Sequence, residues 1–292
     1  MIPSSALRLR SEEEASRLPP LLARAEHLAG TVLLGDHGRR RAGLGDDFWQ
    51  YRPAQHGDSR RMIDHRRSAR GDAQFVRERE WQIAQSVMMW VDQGASMRFS
   101  SAPDTIPTKA DRARVLGLAT AILLVRGGER VGLTGTALPP QRGNAQILRL
   151  ADAFSQDSAV EYAPPEHRAM IPHARAFFVS DFLGDMTDVR LALTKAADRG
   201  VRGVLLQVLD PIEEDFPFSG RTIFESVGGS VVHETLKAGD LRGRYIERLA
   251  RRRDELTQLC AATGWQMGHH HTSQSAQSAL LWIYRALDGG TQ

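Results

Sequence analysis

The amino-acid sequence predicts an α/β fold with a mostly parallel central sheet and helices on both faces. Two observations support this prediction. Short apolar runs alternate with amphipathic helical segments from about residue 81 onward, and such alternation with short connections is typical of a parallel sheet. The chain has 292 residues, of which 41% are hydrophobic, so it can bury a substantial core.

The first 80 residues are predicted to form a helix followed by an irregular arm. Residues 3–30 carry apolar side chains at helical spacing, interrupted by the Pro19-Pro20 pair. Residues 35–79 contain 11 arginines and many glycines but little apolar periodicity. We therefore expect residues 1–80 to form an N-terminal helix and an Arg-rich irregular arm packed on the core.

Residues 81–288 are predicted to form the α/β domain, and residues 289–292 a disordered tail. Gly200 and Asp240 mark a helix end and a helix start. The expected strands span residues 83–91, 131–136, 174–179, 204–209 and 265–269, with short ones at 222–226 and 230–235. The expected helices span residues 109–125, 144–154, 188–199, 240–262 and 275–287.

Three predicted strands end in an aspartate: Asp92, Asp181 and Asp210. In parallel sheets, ligands bind outside the carboxyl ends of the strands. Asp92 and Ser96 could offer two oxygens to Mg²⁺, which needs few protein ligands, and Asp181 a third if its strand is adjacent. Alternatively, these carboxylates cap helices or bind loop amides.

An ordered set of motifs resembles the signature of the domain of unknown function 58 family between about residues 35 and 287. The N-terminal motifs are Gly43-Leu44-Gly45-Asp46-Asp47-Phe48, Arg52, Gly57-Asp58, Arg61-Met62-Ile63-Asp64 and Ala69-Arg70. The later motifs are Val91-Asp92 to Met97, Ser180-Asp181-Phe182, and Leu209-Asp210-Pro211 with Glu213.

This resemblance implies a Rossmann-type, von Willebrand factor A-like fold with a metal-ion-dependent adhesion site. It also implies a link to MoxR-type AAA+ ATPases in protein maturation or complex assembly, without an established enzymatic activity. The chain departs from the adhesion motif, Asp-x-Ser-x-Ser, because Gly94 stands at the first Ser position. Loop 139–144 lacks the usual Thr, and His65 replaces a Trp. The expected metal site, made of Asp92, Ser96 and Asp181, is therefore degenerate.

Two charged segments have open interpretations. Opposite charges at Arg52, Asp58, Arg61, Asp64 and Arg70 could pin the arm to the sheet, form a docking surface, or contact nucleic acid. Interspersed acidic residues argue against nucleic acid. The acidic run at residues 213–215 is interpreted as a solvated loop or as a contact for a basic partner.

Other features narrow the class of protein. The net charge of +3 is modest, and the single Cys260 is expected to be a buried, inert thiol in a reducing compartment. No apolar run approaches the length of a membrane span, so we expect a cytoplasmic protein. His269-His270-His271 is interpreted as a polar strand end, because successive strand side chains point to opposite faces.

We therefore predict a non-enzymatic protein-binding module that acts at the strand carboxyl ends, with or without Mg²⁺. No phosphate-binding glycine loop or nucleophile elbow is present. The alternatives are a metal-dependent hydrolase or nuclease using Asp92, Asp181 and Asp210, and a scaffold with an empty site. All require the strands ending at Asp92 and Asp181 to be neighbours.

Overall fold

The computed structural model describes residues 20–32, 42–43, 47–55, 63–69, 74–80, 85–229 and 232–288. The strands are β1 (Ala42–Gly43), β2 (Asp47–Pro53), β3 (Phe75–Glu80), β4 (Ser86–Val91), β5 (Arg130–Leu133), β6 (Arg175–Ser180), β7 (Arg202–Leu209), β8 (Thr222–Glu225), β9 (Val232–Thr235) and β10 (Gln266–His271). The helices are α1 (Pro20–Gly30), α2 (His65–Ser68), α3 (Lys109–Arg126), α4 (Asn144–Phe154), α5 (Met186–Asp198), α6 (Pro211–Asp215), α7 (Gly239–Thr263) and α8 (Ala276–Asp288).

The central sheet contains five parallel strands in the order β10-β7-β6-β4-β5. Within the central sheet, β4 comes first in the chain and β5 pairs with it on one side. The later strands β6, β7 and β10 are added in turn on the other side of β4. The strand order therefore reverses between β4 and β6. In open α/β sheets, such a reversal opens a crevice at the carboxyl ends of the two strands, where ligands bind.

The three inner strands, β4, β6 and β7, are buried on both faces. Alternate side chains of β4, such as Met89 and Val91, join a core with α1, α3, α4 and α8. Met88 and Trp90 point the other way, into a core with α5 and α7. This period of two follows from the pleat of a strand. The predicted α/β class, with a parallel sheet between two helical layers, is confirmed.

The elements of this domain match the prediction to within a few residues at their ends. Helix α4 has the predicted bounds. Strand β6 begins and ends one residue later than predicted, and helix α7 is one residue longer at each end. The exception is α6 (Pro211–Asp215), which lies in the acidic run interpreted as a solvated loop. Cys260 is buried, and this burial raises the pKa of its thiol to about 12, as expected for an inert cysteine.

The segment from residue 36 to residue 85 forms a unit of its own. Its described residues contain an antiparallel sheet in the order β1-β3-β2 and the short helix α2. Sequence patterns did not reveal these strands, because arginine and glutamate alternate along β3 after Phe75-Val76 without a continuous apolar stripe. Val76 is nevertheless fully buried.

Helix α1 belongs to the unit that contains the central sheet. Leu22 and Ala25 lie in the same core as α3, and Arg24 pairs with Asp111 at 3.4 Å. The predicted boundary between residues 80 and 81 stays a prediction, and residues 289–292 lie outside the described part of the chain. None of the described helices is both long and apolar enough to cross a membrane.

Candidate functional site

Asp92 and Asp181 lie at the ends of neighbouring strands, as the prediction required. Strands β4 and β6 pair directly, with Val91 opposite Val179. The main-chain N–H of Asp92 donates to the carbonyl oxygen of Val179 at 3.0 Å. Both carboxylates therefore sit at the point where the strand order reverses.

The Asp92 carboxylate is buried and hydrogen-bonded on both oxygens. Its Oδ1 accepts the main-chain N–H of Gly94 at 2.7 Å, and its Oδ2 accepts the Ser180 hydroxyl at 2.5 Å. Burial and the negative charge of Asp181 together raise the pKa of Asp92 to about 7, although the two hydrogen bonds and Lys109 oppose this shift. Asp92 therefore exchanges a proton near neutral pH.

Asp181 forms a buried ion pair with Lys109, a residue that sequence analysis did not identify as part of the site. The Lys109 ammonium donates to Asp181 Oδ2 at 2.9 Å and to Glu213 Oε1 at 2.6 Å. The side chains of Lys109 and Asp181 are each only 1% exposed. Burial alone would lower the pKa of Lys109, but the two carboxylates raise it above its usual value. The lysine is therefore charged.

A local sequence signal for Lys109 exists. It is the first residue of α3, after the N-cap Thr108, where the helix dipole disfavours a positive charge. It is also one of only three lysines in a chain that otherwise uses arginine. A cation at this position needs anionic partners, but the sequence does not say which carboxylates these are.

Ser96 is brought to the same edge, in the 3₁₀ helix Ala95–Arg98. It is 6% exposed, and its hydroxyl has no hydrogen-bond partner. Two residues earlier, a Cβ atom on Gly94 would lie 2.9 Å from both Glu161 O and Ala163 N, which are main-chain atoms. The loop that contains these atoms leaves no room for a serine at position 94.

Asp210 has a different role from the other two strand-end acids. Its Oδ1 accepts the N–H of Ile212 and its Oδ2 the N–H of Ser101, each at 3.0 Å. Glu213 completes a capping box by accepting the N–H of Asp210 at 2.9 Å. Asp210 therefore caps α6 and holds Glu213 in position for Lys109, a helix-capping role that the sequence interpretation considered for Asp92 and Asp181.

Two residues of the acidic run, Glu213 and Glu214, are paired, which corrects the interpretation of a solvated loop for them, whereas Asp215 is exposed. Glu213 contacts Lys109, and Glu214 pairs with Arg253 and, through Oε2, with His271 Nε2 at 2.6 Å. The side chains of Glu213 and Glu214 are each 16% exposed. The basic partners come from α3, α7 and β10, which are distant in the sequence.

The three histidines behave as the pleat of a strand predicts. His270 is buried on one face of β10, whereas His269 and His271 are partly exposed. His269 Nδ1 lies 3.2 Å from Gln207 Oε1. Burial, together with the positive charge of Arg112, lowers the pKa of His270 to about 3, so this imidazole is neutral at pH 7.

The loop expected to supply a threonine offers none to the cleft. Thr134 and Thr136 precede it, and their hydroxyls donate to main-chain carbonyl oxygens, those of Met89 at 3.5 Å and Leu133 at 3.2 Å. Loop 139–144 itself contains no threonine.

A small cleft of about 20 Å³ lies at this edge and is lined by Asp92 and Asp181. Its walls combine aromatic and acidic side chains, including Trp90, Tyr162 and Asp188. Asp188 lies in the first turn of α5, where a carboxylate is favoured by the helix dipole. The cleft thus provides a shaped, polar and partly aromatic surface at the carboxyl edge of the sheet.

The side chains in this arrangement do not suit Mg²⁺. Both oxygens of Asp92 accept hydrogen bonds, and Asp181 accepts one from Leu183 N–H and one from the Lys109 ammonium. Across the described residues, no group of three or more His, Cys, Asp or Glu side chains is placed to hold a metal ion. The unpartnered hydroxyl of Ser96 alone is a weak donor set for a cation that prefers carboxylates.

The motif residues of the arm are only partly described. Asp64 caps α2 by accepting the N–H of Arg67 at 2.9 Å, and it accepts the hydroxyl of Tyr51 at 3.2 Å. Arg52 lies on β2, opposite Val76. Asp58, Arg61 and Arg70 lie outside the described residues. Their proposed charge network stays a prediction.

The fold and the site define an α/β domain with a parallel sheet and a charged cleft at its carboxyl edge. The family model "Protein of unknown function DUF58" matches residues 50–255. This match covers more than half of the chain, and the chain therefore belongs to this family, as the motifs predicted.

Mycobacterial relatives and two solved structures are also similar to the chain. Uncharacterised proteins of Mycobacterium bovis and Mycobacterium tuberculosis are each 27% identical over 253 residues, covering 80% of this chain and 77% of theirs. The conserved hypothetical protein BatB from Bacteroides thetaiotaomicron aligns with 71% of this chain and 100% of its own, at 15% identity and a TM-score of 0.40. An aerotolerance-related membrane protein from Bacteroides fragilis aligns with 70% of this chain and 100% of its own, at 16% identity and a TM-score of 0.39. At these scores the structural likeness carries no argument about function.

Proposed function

We propose that the chain is a protein-binding module of the von Willebrand factor A-like type that docks a partner on the carboxyl edge of its sheet. The observation that carries this proposal is the internally paired cleft. The ammonium of Lys109 donates hydrogen bonds to Asp181 and Glu213. The hydroxyl of Ser180 donates to Asp92. Asp92, Ser180 and Asp181 line the cleft, and side chains held in this way give it a rigid floor, which favours recognition, whereas a hydrolase needs a free base or an open metal position.

A second surface at the same edge supports docking. The hairpin β8–β9 connects the carboxyl end of the sheet to α7. Its turn contacts the residue that precedes Tyr162 of the cleft wall, because Gly228 N–H donates to Glu161 Oε2 at 2.8 Å. Ile223, Val232 and Leu236 are 60–73% exposed, and we call these three side chains the hairpin surface. Exposed apolar side chains next to a polar cleft are typical of a binding site.

The family resemblance suggests which partner to test. We propose a MoxR-type AAA+ ATPase, with the chain acting as an accessory factor in protein maturation or complex assembly. The ATPase from the same source would be purified, and its affinity for the chain measured by calorimetry or surface plasmon resonance.

The decisive variant is Asp188→Asn, and its matched control is Asp198→Asn. Both carboxylates are exposed and lie on α5, but only Asp188 lines the cleft, while Asp198 lies at the opposite end of the helix. We expect Asp188→Asn to change the affinity by about tenfold, the effect of a 1.4 kcal/mol contact, and Asp198→Asn to leave it unchanged. Equal affinities of both variants and the unmodified chain would contradict docking at this edge.

A further inference from the structure

Lys109 occupies an energetically unfavourable place in the fold. Its ammonium is buried, and it begins a helix whose amino-terminal dipole repels positive charge. The aromatic ring of Phe99 lies 5.8 Å from it and offers one favourable contact. The remaining compensation comes from Asp181, which follows β6, and from Glu213, which lies in α6.

Asp181 and Glu213 in turn depend on the positive charge of Lys109. Asp181 is 1% exposed and Glu213 is 16% exposed, so neither charge is well solvated. Asp181 also lies close to Asp92, an acid that follows the neighbouring strand β4. Without the ammonium of Lys109, Asp181 and Glu213 would be left as unpaired carboxylates in a poorly hydrated place, which is strongly unfavourable.

We infer that the Lys109 ammonium permanently supplies the positive charge that a divalent cation supplies in a metal-ion-dependent adhesion site, so that this site works without metal. The inference concerns the charge balance of the cleft. It therefore holds or fails independently of the partner proposed above.

Two observations explain why metal and lysine exclude each other. Mg²⁺ needs carboxylate oxygens at about 2.0–2.1 Å, but Asp181 Oδ2 already accepts from the ammonium. A cation bound to that carboxylate would face the ammonium at short range. The side chain that could join Ser96 as a second hydroxyl ligand is also lacking, because the backbone of residues 161–163 fills the space beside Gly94.

The first experiment uses the unmodified chain. Mn²⁺ binding is followed by electron paramagnetic resonance, and thermal unfolding is recorded with Mg²⁺ and with a chelator. We expect no saturable Mn²⁺ binding and the same Tm in both conditions, because only a ligand of the folded state raises stability. Saturable binding with a Tm that rises with Mg²⁺ would overturn the inference.

The second experiment removes the ammonium. The variant Lys109→Ala is compared with Lys195→Ala, whose lysine is exposed on α5. We expect Lys109→Ala to have a lower Tm, which Mg²⁺ or Mn²⁺ restores in part, and to bind Mn²⁺ at least about tenfold more tightly than the unmodified chain. The Lys195→Ala protein should behave like the unmodified chain. A folded Lys109→Ala protein with no response to either cation would show that lysine does not stand in for a metal. If this variant does not fold, the experiment on the unmodified chain still decides the question.

Discussion

The ammonium of Lys109, at the start of α3, lies 2.9 Å from the carboxylate of Asp181, at the end of β6. Seventy-two positions separate these residues in the chain. The pair joins the first turn of a helix on one face of the sheet to the carboxyl edge of a central strand. It therefore couples the stability of the domain to the electrostatics of the cleft.

Replacing Lys109 by methionine should destabilise the domain strongly. Methionine keeps the length and apolar stem of the side chain but leaves Asp181 and Glu213 buried without their cation. Breaking a buried pair by removing one partner typically lowers the free energy of unfolding by about 3–5 kcal/mol. Chemical denaturation would measure the loss, with Lys195→Met as the control at an exposed position. A loss below about 1 kcal/mol, the range of surface ion pairs, would contradict the buried pairing.

Replacing Asp92 by asparagine should change how stability depends on pH. The pKa of Asp92 is raised to about 7 from 3.8 by burial and by Asp181, so the folded chain binds more protons than the unfolded chain between these values. Its free energy of unfolding therefore falls as the pH rises from about 4 to about 7, by about 1.4 kcal/mol per unit. Asparagine does not titrate, and it can still accept from Gly94 and donate to the Ser180 hydroxyl.

The stability of Asp92→Asn relative to the unmodified chain should therefore increase through this window and stay constant above pH 7. Denaturation at a series of pH values would measure the difference. Asp198→Asn, at an exposed site, serves as the control. A difference that does not vary with pH would show that Asp92 ionises as it does in the unfolded chain.

Restoring serine at position 94 should not rebuild a metal site. A Cβ atom there would meet two main-chain atoms of residues 161 and 163 at 2.9 Å, so the loop would have to shift. Such overpacking typically costs about 1–3 kcal/mol. Gly94→Ser should therefore lower the midpoint of denaturation, whereas Gly243→Ser, where no atom lies within 4 Å, should change it little. Unchanged stability together with Mg²⁺ binding by Gly94→Ser would contradict this.

A polar substitution on the hairpin surface should weaken partner binding without affecting the fold. Leu236 is 73% exposed, so Leu236→Ser removes little buried apolar area from the monomer. We expect a stability change within about 0.5 kcal/mol and an affinity for the purified ATPase that is lower by about tenfold. The matched control is Leu191→Ser, because Leu191 is also an exposed leucine but lies on α5, outside the hairpin surface. If both substitutions have the same effect on affinity, the hairpin is not the docking surface.

Much of the fold could be predicted because its signals are local. Apolar runs such as residues 83–91 and 204–209, separated by helical periodicity, predict strands that are buried on both faces, and β4 and β7 lie there. The arm was harder to interpret, because β2 and β3 pair through charged and aromatic residues that leave no apolar stripe. Their strand character depends on pairing with each other.

The sequence by itself determined that Asp92, Asp181 and Asp210 follow parallel strands, and hence that they share one edge of the sheet. Parallel strands point the same way, so this conclusion needs no knowledge of which strands are adjacent. Only the tertiary structure decided what each carboxylate does there. Asp210 binds main-chain amides, Asp92 accepts from Ser180, and Asp181 receives the ammonium of Lys109. The partner that balances a buried charge comes from a distant part of the chain, and packing alone brings the two together.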